Sequence, residues 1–301
     1  MPVNIVEVAP RDGLQNDPAD LPASVKAELV RRCVAAGARR LEVASFVSPK
    51  AVPKMADAEE VLDDLRSGDP LAASLIGLVV NERGVSRALR AGVDELNAVV
   101  VVTDTFSRAN QSTTTAESIA ALGDLIGAAR SAGLPISVTL SAAFGCPFEG
   151  EVPLGRLLDV AGQVAAAGPD EIAVADTIGA AVPVDVKERI GALRSVTGNT
   201  ALRAHFHDTR NTGVANAFAA YEAGVDTLDA SLGGAGGCPF APGATGNVAT
   251  EDLVYLFERS GVATSMSLAE VISNSRWLAG EVGHPLPAML SRAGPFPKAA
   301  A

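Results

Sequence analysis

Two imidazoles two positions apart, His205 and His207, are the plainest chemical signal in this chain, and they are two of its three histidines. They fall in the run LRAHFHDT, where 202–206 reads as a short strand with a polar end. Successive side chains of a strand point to opposite faces, so the two rings share one face. A pair of imidazoles at a strand end is a ready half-site for a divalent metal. A helical pattern follows, then a strand over 227–232, then the run GGAGGCP with Cys238 inside it. That loop reads as too glycine-rich to be rigid, and it leads through Asn247 into a helix with Glu251 in its first turn. One strand offers ligands and the next offers a mobile loop with a thiol, which is the layout of an active site.

Other polar residues join this set once the chain is divided into elements. Arg11 and Asp12 follow the first strand, Glu42 lies inside the second, and Asp176 follows the sixth. Asp12, His205, His207 and Asn247 make a mixed nitrogen and oxygen donor set without a thiolate. Such a set suits Mg²⁺ or Mn²⁺ better than structural zinc. Each member also has a plainer reading. His-x-His can be two ordinary polar residues, Asn247 can cap the helix that starts there, and Asp176 can cap the turn that follows it. Glu42 in an apolar strand is costly unless paired, and Arg11 is the natural partner; the same Arg is a fixed cation where an oxyanion could develop. Cys33 sits in a helical pattern and reads as core, Cys146 lies in a loop after a strand, and His284 reads as surface. The glycine loop lacks the spacing and Lys of a phosphate-binding loop, so a lid carrying Cys238 over bound substrate is the better expectation.

The elements that must position these residues alternate regularly. Apolar runs at 4–8, 40–46, 72–80, 95–102, 135–141, 171–175, 202–206 and 227–232 predict strands. Between and after them, helical periodicity marks 22–36, 55–66, 82–91, 116–132, 154–167, 184–196, 212–223 and 249–259. Strands apolar on both faces and alternating with helices indicate a parallel sheet. Eight such units predict an α/β fold of the (β/α)8 TIM-barrel type, with residues 1–263 as the barrel and 264–301 as a C-terminal helical extension and tail packed on it. In that fold the site lies at the C-terminal ends of the strands. Closure makes the first and eighth strands neighbours, which predicts that Asp12, the histidines and Asn247 converge.

Composition removes several classes of function. A net charge of −11 argues against nucleic acid, whose binding depends on Lys and Arg at phosphates. The longest apolar run, 71–80, is too short to span a bilayer, so no membrane partner is expected. Three cysteines, odd in number and far apart, suit a reducing cytoplasm rather than a disulfide framework.

Taken together, the motifs VEVAPRDGLQND, LEVASFVSPKAVPKMAD, FGCPFEG, ADTIG, HFHDT and GGAGGCPFAPGATGNVATEDLVY resemble the hydroxymethylglutaryl-CoA lyase family of metal-dependent TIM-barrel enzymes. The resemblance runs through nearly the whole barrel in the family's order. It implies that Asp12, His205, His207 and Asn247 hold Mg²⁺ or Mn²⁺, and that Arg11, Glu42, Asp176, Cys238 and Glu251 complete the active site. The implied reaction is retro-Claisen cleavage of 3-hydroxy-3-methylglutaryl-CoA to acetyl-CoA and acetoacetate, in a cytoplasmic homodimer acting on a small acyl-CoA.

Two segments depart from that pattern. Ser137-Val138-Thr139 stand where members of the family tend to carry Arg-Gly-Tyr, which removes a cation and a phenol from strand five. Arg210-Asn211-Thr212-Gly213 replace a Tyr-Gly-Gln-Ala run after the histidines. A related substrate, citramalyl-CoA or a longer 3-hydroxy-3-alkylglutaryl-CoA, is therefore the alternative. A condensing transferase that consumes acetyl-CoA, and a non-catalytic barrel that binds CoA esters, are more distant readings.

Overall fold

The computed structural model describes residues 1–237 and 246–297, so Cys238 lies outside the described residues. Its eight barrel strands are β1 (Asn4–Glu7), β2 (Arg40–Ser45), β3 (Ser74–Val79), β4 (Glu95–Val101), β5 (Ile136–Ser141), β6 (Glu171–Asp176), β7 (Ala201–Phe206) and β8 (Thr227–Ala230). Each pairs in parallel with its neighbours. β1 pairs with both β2 and β8, through Val6 opposite Arg40 and Asn4 opposite Thr227, and this closes the barrel. The expected strands are all present, with ends shifted by at most two residues.

The helices are α1 (Ala23–Ala35), α2 (Ala58–Ser67), α3 (Glu82–Ala91), α4 (Asp104–Gln111), α5 (Thr115–Ser131), α6 (Leu154–Ala167), α7 (Pro183–Thr197), α8 (Gly213–Glu222), α9 (Thr250–Arg259), α10 (Leu268–Val282) and α11 (Leu290–Ala293). α4 was not expected from the sequence. It buries only Phe106 and Ser107, so its apolar stripe is too narrow to register as a period. Also unforeseen were a tight helical turn over Ala9–Gly13 and a two-stranded hairpin of Gly145–Cys146 with Gly150–Glu151.

Most of the core lies between strands and helices, where residues such as Leu41, Leu96, Leu140 and Val160 are fully buried. The barrel interior holds a separate and much smaller apolar cluster of Val6, Val8 and Ile76. Much of the rest of the interior is polar, with Glu42, Glu95, Asn97, Glu171, Arg203 and Asp229 buried, which is unusual for a barrel normally filled by branched aliphatic layers.

The segment after α9 seals the outside of the barrel. α10 buries Val271, Ile272, Leu278 and Val282, and Arg32 of α1 stacks over Trp277 at 4.5 Å. The Asn274 amide donates to the Arg32 carbonyl at 3.0 Å, and Ser267 N–H donates to the Ala36 carbonyl at 2.8 Å. Among the described residues no helix is long and apolar enough to cross a membrane.

Candidate active site

The C-terminal ends of the strands ring a cavity of about 380 Å³. Arg11, Asp12, Asn97, Thr139, Ser141, His205, His207 and Asp229 line it. Arg11 and Asp12 reach it from the Ala9–Gly13 turn, in which the amides of Arg11, Asp12 and Gly13 converge on the Val8 carbonyl at 2.8–3.2 Å. His205 and His207 come from β7 and the residue just beyond it, on one face as alternation requires, with ring centroids 5.2 Å apart.

Asn247 reaches the site because the chain returns alongside the end of β7. Asp208 N–H donates to the Gly246 carbonyl at 3.0 Å, and Val248 N–H donates to the Phe206 carbonyl at 3.1 Å. The Asn247 amide then donates to Asp12 Oδ2 at 2.8 Å and to the Ala235 carbonyl at 3.0 Å. The described part of the glycine loop passes very close to this amide. A Cβ on Gly236, whose φ is +104°, would lie 2.7 Å from Asn247 Nδ2 and 2.9 Å from the Asp12 carbonyl. Here glycine serves close approach, in addition to the freedom the sequence suggests.

One potential ligand atom each from Asp12, His205 and His207 lies within 4.8 Å of the others. Two further atoms argue for an acceptor-hungry guest between them. His207 Nδ1 and Asn247 Oδ1 are both buried without a hydrogen-bond partner, a state that native interiors rarely leave uncompensated. The protonation states agree. Burial and the neighbouring His205 hold His207 down to about 4, so it is a neutral imidazole with lone pairs to offer. Burial alone would favour a protonated Asp12, but Arg11, both histidines and the Asn247 amide reverse this and keep its carboxyl well below the usual range. An anionic carboxylate, a neutral imidazole and a carboxamide oxygen fit a hard divalent ion.

His205 is treated differently. Its Nδ1 lies 3.0 Å from Asp229 Oδ2. Burial opposes a charge on this ring, yet the bond to Asp229 and the charges of Asp229 and Asp12 raise its pKa above that of ordinary imidazole. Asp229 in turn faces the buried guanidinium of Arg203 at 3.5 Å, and Arg203 also meets Glu171 at 3.2 Å. Arg40 completes the column at the strand starts, bonding Glu95 and Glu171 at 2.6 and 3.0 Å. A second chain of bonds runs under Arg11. Its Nε donates to Glu42, its Nη1 donates to Asp12 Oδ1 at 2.6 Å, and Asn97 donates to the other Glu42 oxygen at 2.6 Å. Thr139 donates to Asn97 Oδ1 at 3.0 Å.

The structure therefore brings together Asp12, Arg11, Glu42, His205, His207 and Asn247. Asp176 and Glu251 do not line the cavity. Asp176 accepts from the amides of Ala180 and Ala181 at 2.9 and 3.0 Å, the turn-capping role noted as its plainer reading. Glu251 accepts from Gly233 N–H at 3.0 Å and Ser291 Oγ at 2.5 Å, behind the turn that launches the glycine loop. His284, expected as mere surface, holds both oxygens of Asp17 at 3.0–3.1 Å. Arg210 turns away from the cavity to the carbonyls of Ile178 and Gly179.

Behind strand five, Arg203 Nη2 donates to Ser137 Oγ at 3.3 Å, but this guanidinium is fully buried and paired with Glu171 and Asp229, so it does not return a cation to the cavity. Asp229, Asn97 and Arg203 were not singled out in the sequence. The signal was there, since each is a polar side chain within an apolar strand, the argument that exposes Glu42.

A family model described as HMGL-like matches residues 2–277. The chain belongs to the HMGL-like family. It is accordingly a carbon–carbon lyase of the kind that family contains. Among curated HMGL-like relatives, the (R)-citramalyl-CoA lyase of Chloroflexus aurantiacus is 44% identical, covering 97% of this chain and 95% of the relative. The hydroxymethylglutaryl-CoA lyase YngG of Bacillus subtilis is 37% identical, with 95% of each covered. Among solved structures, an HMG-CoA lyase from Acinetobacter baumannii in complex with coenzyme A and 3-methylmalate aligns with a TM-score of 0.94 at 38% identity, over 99% of this chain and 97% of that one. The HMGL-like fold and the closed barrel described above agree throughout.

Proposed function

We propose that this lyase cleaves a carboxylated 3-hydroxy-3-methyl acyl-CoA by a metal-dependent retro-Claisen reaction, with citramalyl-CoA as substrate and acetyl-CoA and pyruvate as products. The observation that carries the reaction is the convergence of Asp12, His205, His207 and Asn247 beside Arg11 at one cavity, with His207 Nδ1 and Asn247 Oδ1 unpartnered. Those four residues would hold Mg²⁺ or Mn²⁺. When bound there, the ion supplies Lewis-acid polarisation of the substrate hydroxyl and an adjoining oxygen.

The chain's own groups account for the rest. The C3 hydroxyl proton passes to Asp12, because Asp229 already holds His205 Nδ1 and Nε2 would serve the ion; the C2–C3 bond breaks, and its electron pair moves into the thioester as an enolate. Arg11 lines the cavity as a cation already fixed by Glu42, and it stabilises the enolate oxygen without having to reorganise. Return of a proton to C2 is assigned to Cys238. The family resemblance supports this, as does its position directly after Gly237, which lines the cavity.

The choice of substrate rests on two supports. Identity is higher to the citramalyl-CoA lyase than to the hydroxymethylglutaryl-CoA lyases. In addition, Arg11 is the only Arg or Lys lining the cavity among the described residues, and Glu42 and Asp12 already neutralise it. A carboxylate set off by an extra methylene, as in hydroxymethylglutaryl-CoA, finds no free cation there. One placed on the carbinol carbon itself sits beside the hydroxyl, where the same divalent ion would serve as its counter-charge. Hydroxymethylglutaryl-CoA is the second reading, favoured by relatives such as YngG. The test is acetyl-CoA release from both enantiomers of citramalyl-CoA and from hydroxymethylglutaryl-CoA, with Mg²⁺ or Mn²⁺ and with a chelator. The highest kcat/KM is expected for a citramalyl-CoA. A higher value for hydroxymethylglutaryl-CoA reverses the substrate assignment, and no metal-dependent release from any of them ends the lyase reading.

A further inference from the structure

Glu7 is the last residue of β1 and is fully buried, yet alternation turns it away from the barrel interior, since its neighbours Val6 and Val8 belong to the inner cluster. Its carboxylate is the meeting point of three segments. Oε1 accepts from Ala9 N–H at 2.9 Å and from Leu232 N–H at 2.9 Å, and Oε2 accepts from Thr250 Oγ1 at 2.7 Å. Ala9 starts the turn that carries Arg11 and Asp12. Leu232 starts the Leu232–Gly234 turn, after which the Ala235 carbonyl receives the Asn247 amide. Thr250 starts α9, three residues beyond Asn247. A second carboxylate reinforces the same turn, because Glu251 takes Gly233 N–H, the amide next to the one that Glu7 holds.

The geometry points to Glu7 as a positioning residue that ties the Asp12 turn, the glycine-loop turn and the start of α9 into one unit, and so fixes Asp12 and Asn247 relative to each other for metal binding. Glu7 touches neither ligand and lies outside the cavity. Its influence passes through the amides of Ala9 and Leu232 and the hydroxyl of Thr250, buried donors that lose free energy when left without an acceptor. The inference rests on the metal-site reading above, because it concerns the spacing of two groups proposed to share an ion.

The test compares Mn²⁺ binding by titration calorimetry to the metal-free chain and to its Glu7→Leu and Glu7→Gln variants, with circular dichroism as the check on folding. Leucine fills the space but accepts nothing. Glutamine keeps a carbonyl oxygen for the two amides and an NH₂ that can donate to the Thr250 hydroxyl. The expected result is an Mn²⁺ Kd weakened about 10-fold or more in Glu7→Leu, within the range found when the groups that orient metal ligands are removed, and restored close to wild type in Glu7→Gln. A folded Glu7→Leu protein with the wild-type Kd overturns the inference and leaves Glu7 a purely structural residue. Should Glu7→Leu not fold, Thr250→Val removes one of the three bonds at constant shape. It is expected to weaken Mn²⁺ binding in the same direction, and an unchanged Kd overturns the inference equally. A wild-type chain that binds no Mn²⁺ overturns the metal-site reading and this inference with it. Because the readout is Kd and not turnover, absence of lyase activity would sink the reaction assignment alone while the Kd comparison still decides the role of Glu7.

Discussion

His205 Nδ1 and Asp229 Oδ2 lie 3.0 Å apart at the floor of the cavity. With Nδ1 committed to the carboxylate, Nε2 is the nitrogen left to face Asp12 and His207, so Asp229 selects the tautomer and the direction of the ring. Asp229→Asn keeps the shape and removes the charge. Its Mn²⁺ affinity is expected to fall by about 10–100-fold, the range for loss of a carboxylate behind a ligating imidazole. Calorimetry with Mn²⁺ checks this, and an unchanged Kd would show that the pair does not orient the ring for a metal.

Arg203 is a buried cation between two buried carboxylates, Glu171 and Asp229. Replacing it with Met leaves Glu171 only Arg40 and Asp229 only His205, and removes the buried cation shared by the two acids, a loss that typically costs about 3–5 kcal/mol. Urea unfolding should show that decrease at pH 7. It should shrink in the double variant that also carries Glu171→Gln, since fewer stranded charges remain.

Glu7 also predicts a pH dependence of stability. Burial, its largest perturbation, pushes its carboxyl from 4.5 up to about 7. Between those values the folded state binds more protons than the unfolded one, so this residue's contribution is fullest below pH 4.5 and is lost as pH rises through 7. The loss amounts to roughly 3 kcal/mol across that window. Glu7→Gln cannot ionise, and its unfolding free energy relative to wild type should therefore rise between pH 5 and pH 8. A difference that stays flat over that range would mean the carboxyl titrates normally.

The segment after residue 263 is expected to be a helical extension packed on the barrel, and we propose further that it is required for the fold. α10 covers α1 through the Arg32–Trp277 stack and the Asn274 bond, and it buries four aliphatic side chains. At about 1.5–3 kcal/mol of lost burial for each of these side chains, removing α10 and baring the surface it covers takes away much of the stability of a typical domain. A chain ending at residue 263 should be insoluble or unfolded by circular dichroism. A cooperative, native-like melt of that fragment would restore the two-part division.

Much of this was legible in the sequence because the relevant signals are local. Eight apolar runs of strand length, each followed by a helical period and most closed by glycine, allow few other folds. His205 and His207 had to share a face, and barrel closure placed Asp12 and Asn247 beside them. What escaped was the direction of individual side chains. Glu251 lies four residues from Asn247 in sequence, yet the helix turns it behind the glycine turn, where it serves Gly233 and Ser291. Asp229, Asn97 and Arg203 occupy strand positions that a barrel normally fills with aliphatic residues. Nothing local to each strand reveals that their partners come from other strands, such as Glu42 at a separation of 55 residues from Asn97. α4 escaped for the opposite reason, having too little buried surface to leave a pattern.

The polar column through the barrel links two ends that such folds usually keep separate. Chemistry belongs to the C-terminal ends of the strands and stability to the N-terminal ends. Here charges pass without a break from Arg40 at the start of β2 through Glu171, Arg203 and Asp229 to His205. Substitutions at the floor of this barrel are thus carried electrostatically to its mouth. We propose that the tolerance of this site to mutation is set partly at the opposite face of the molecule, where a search confined to the cavity would never look.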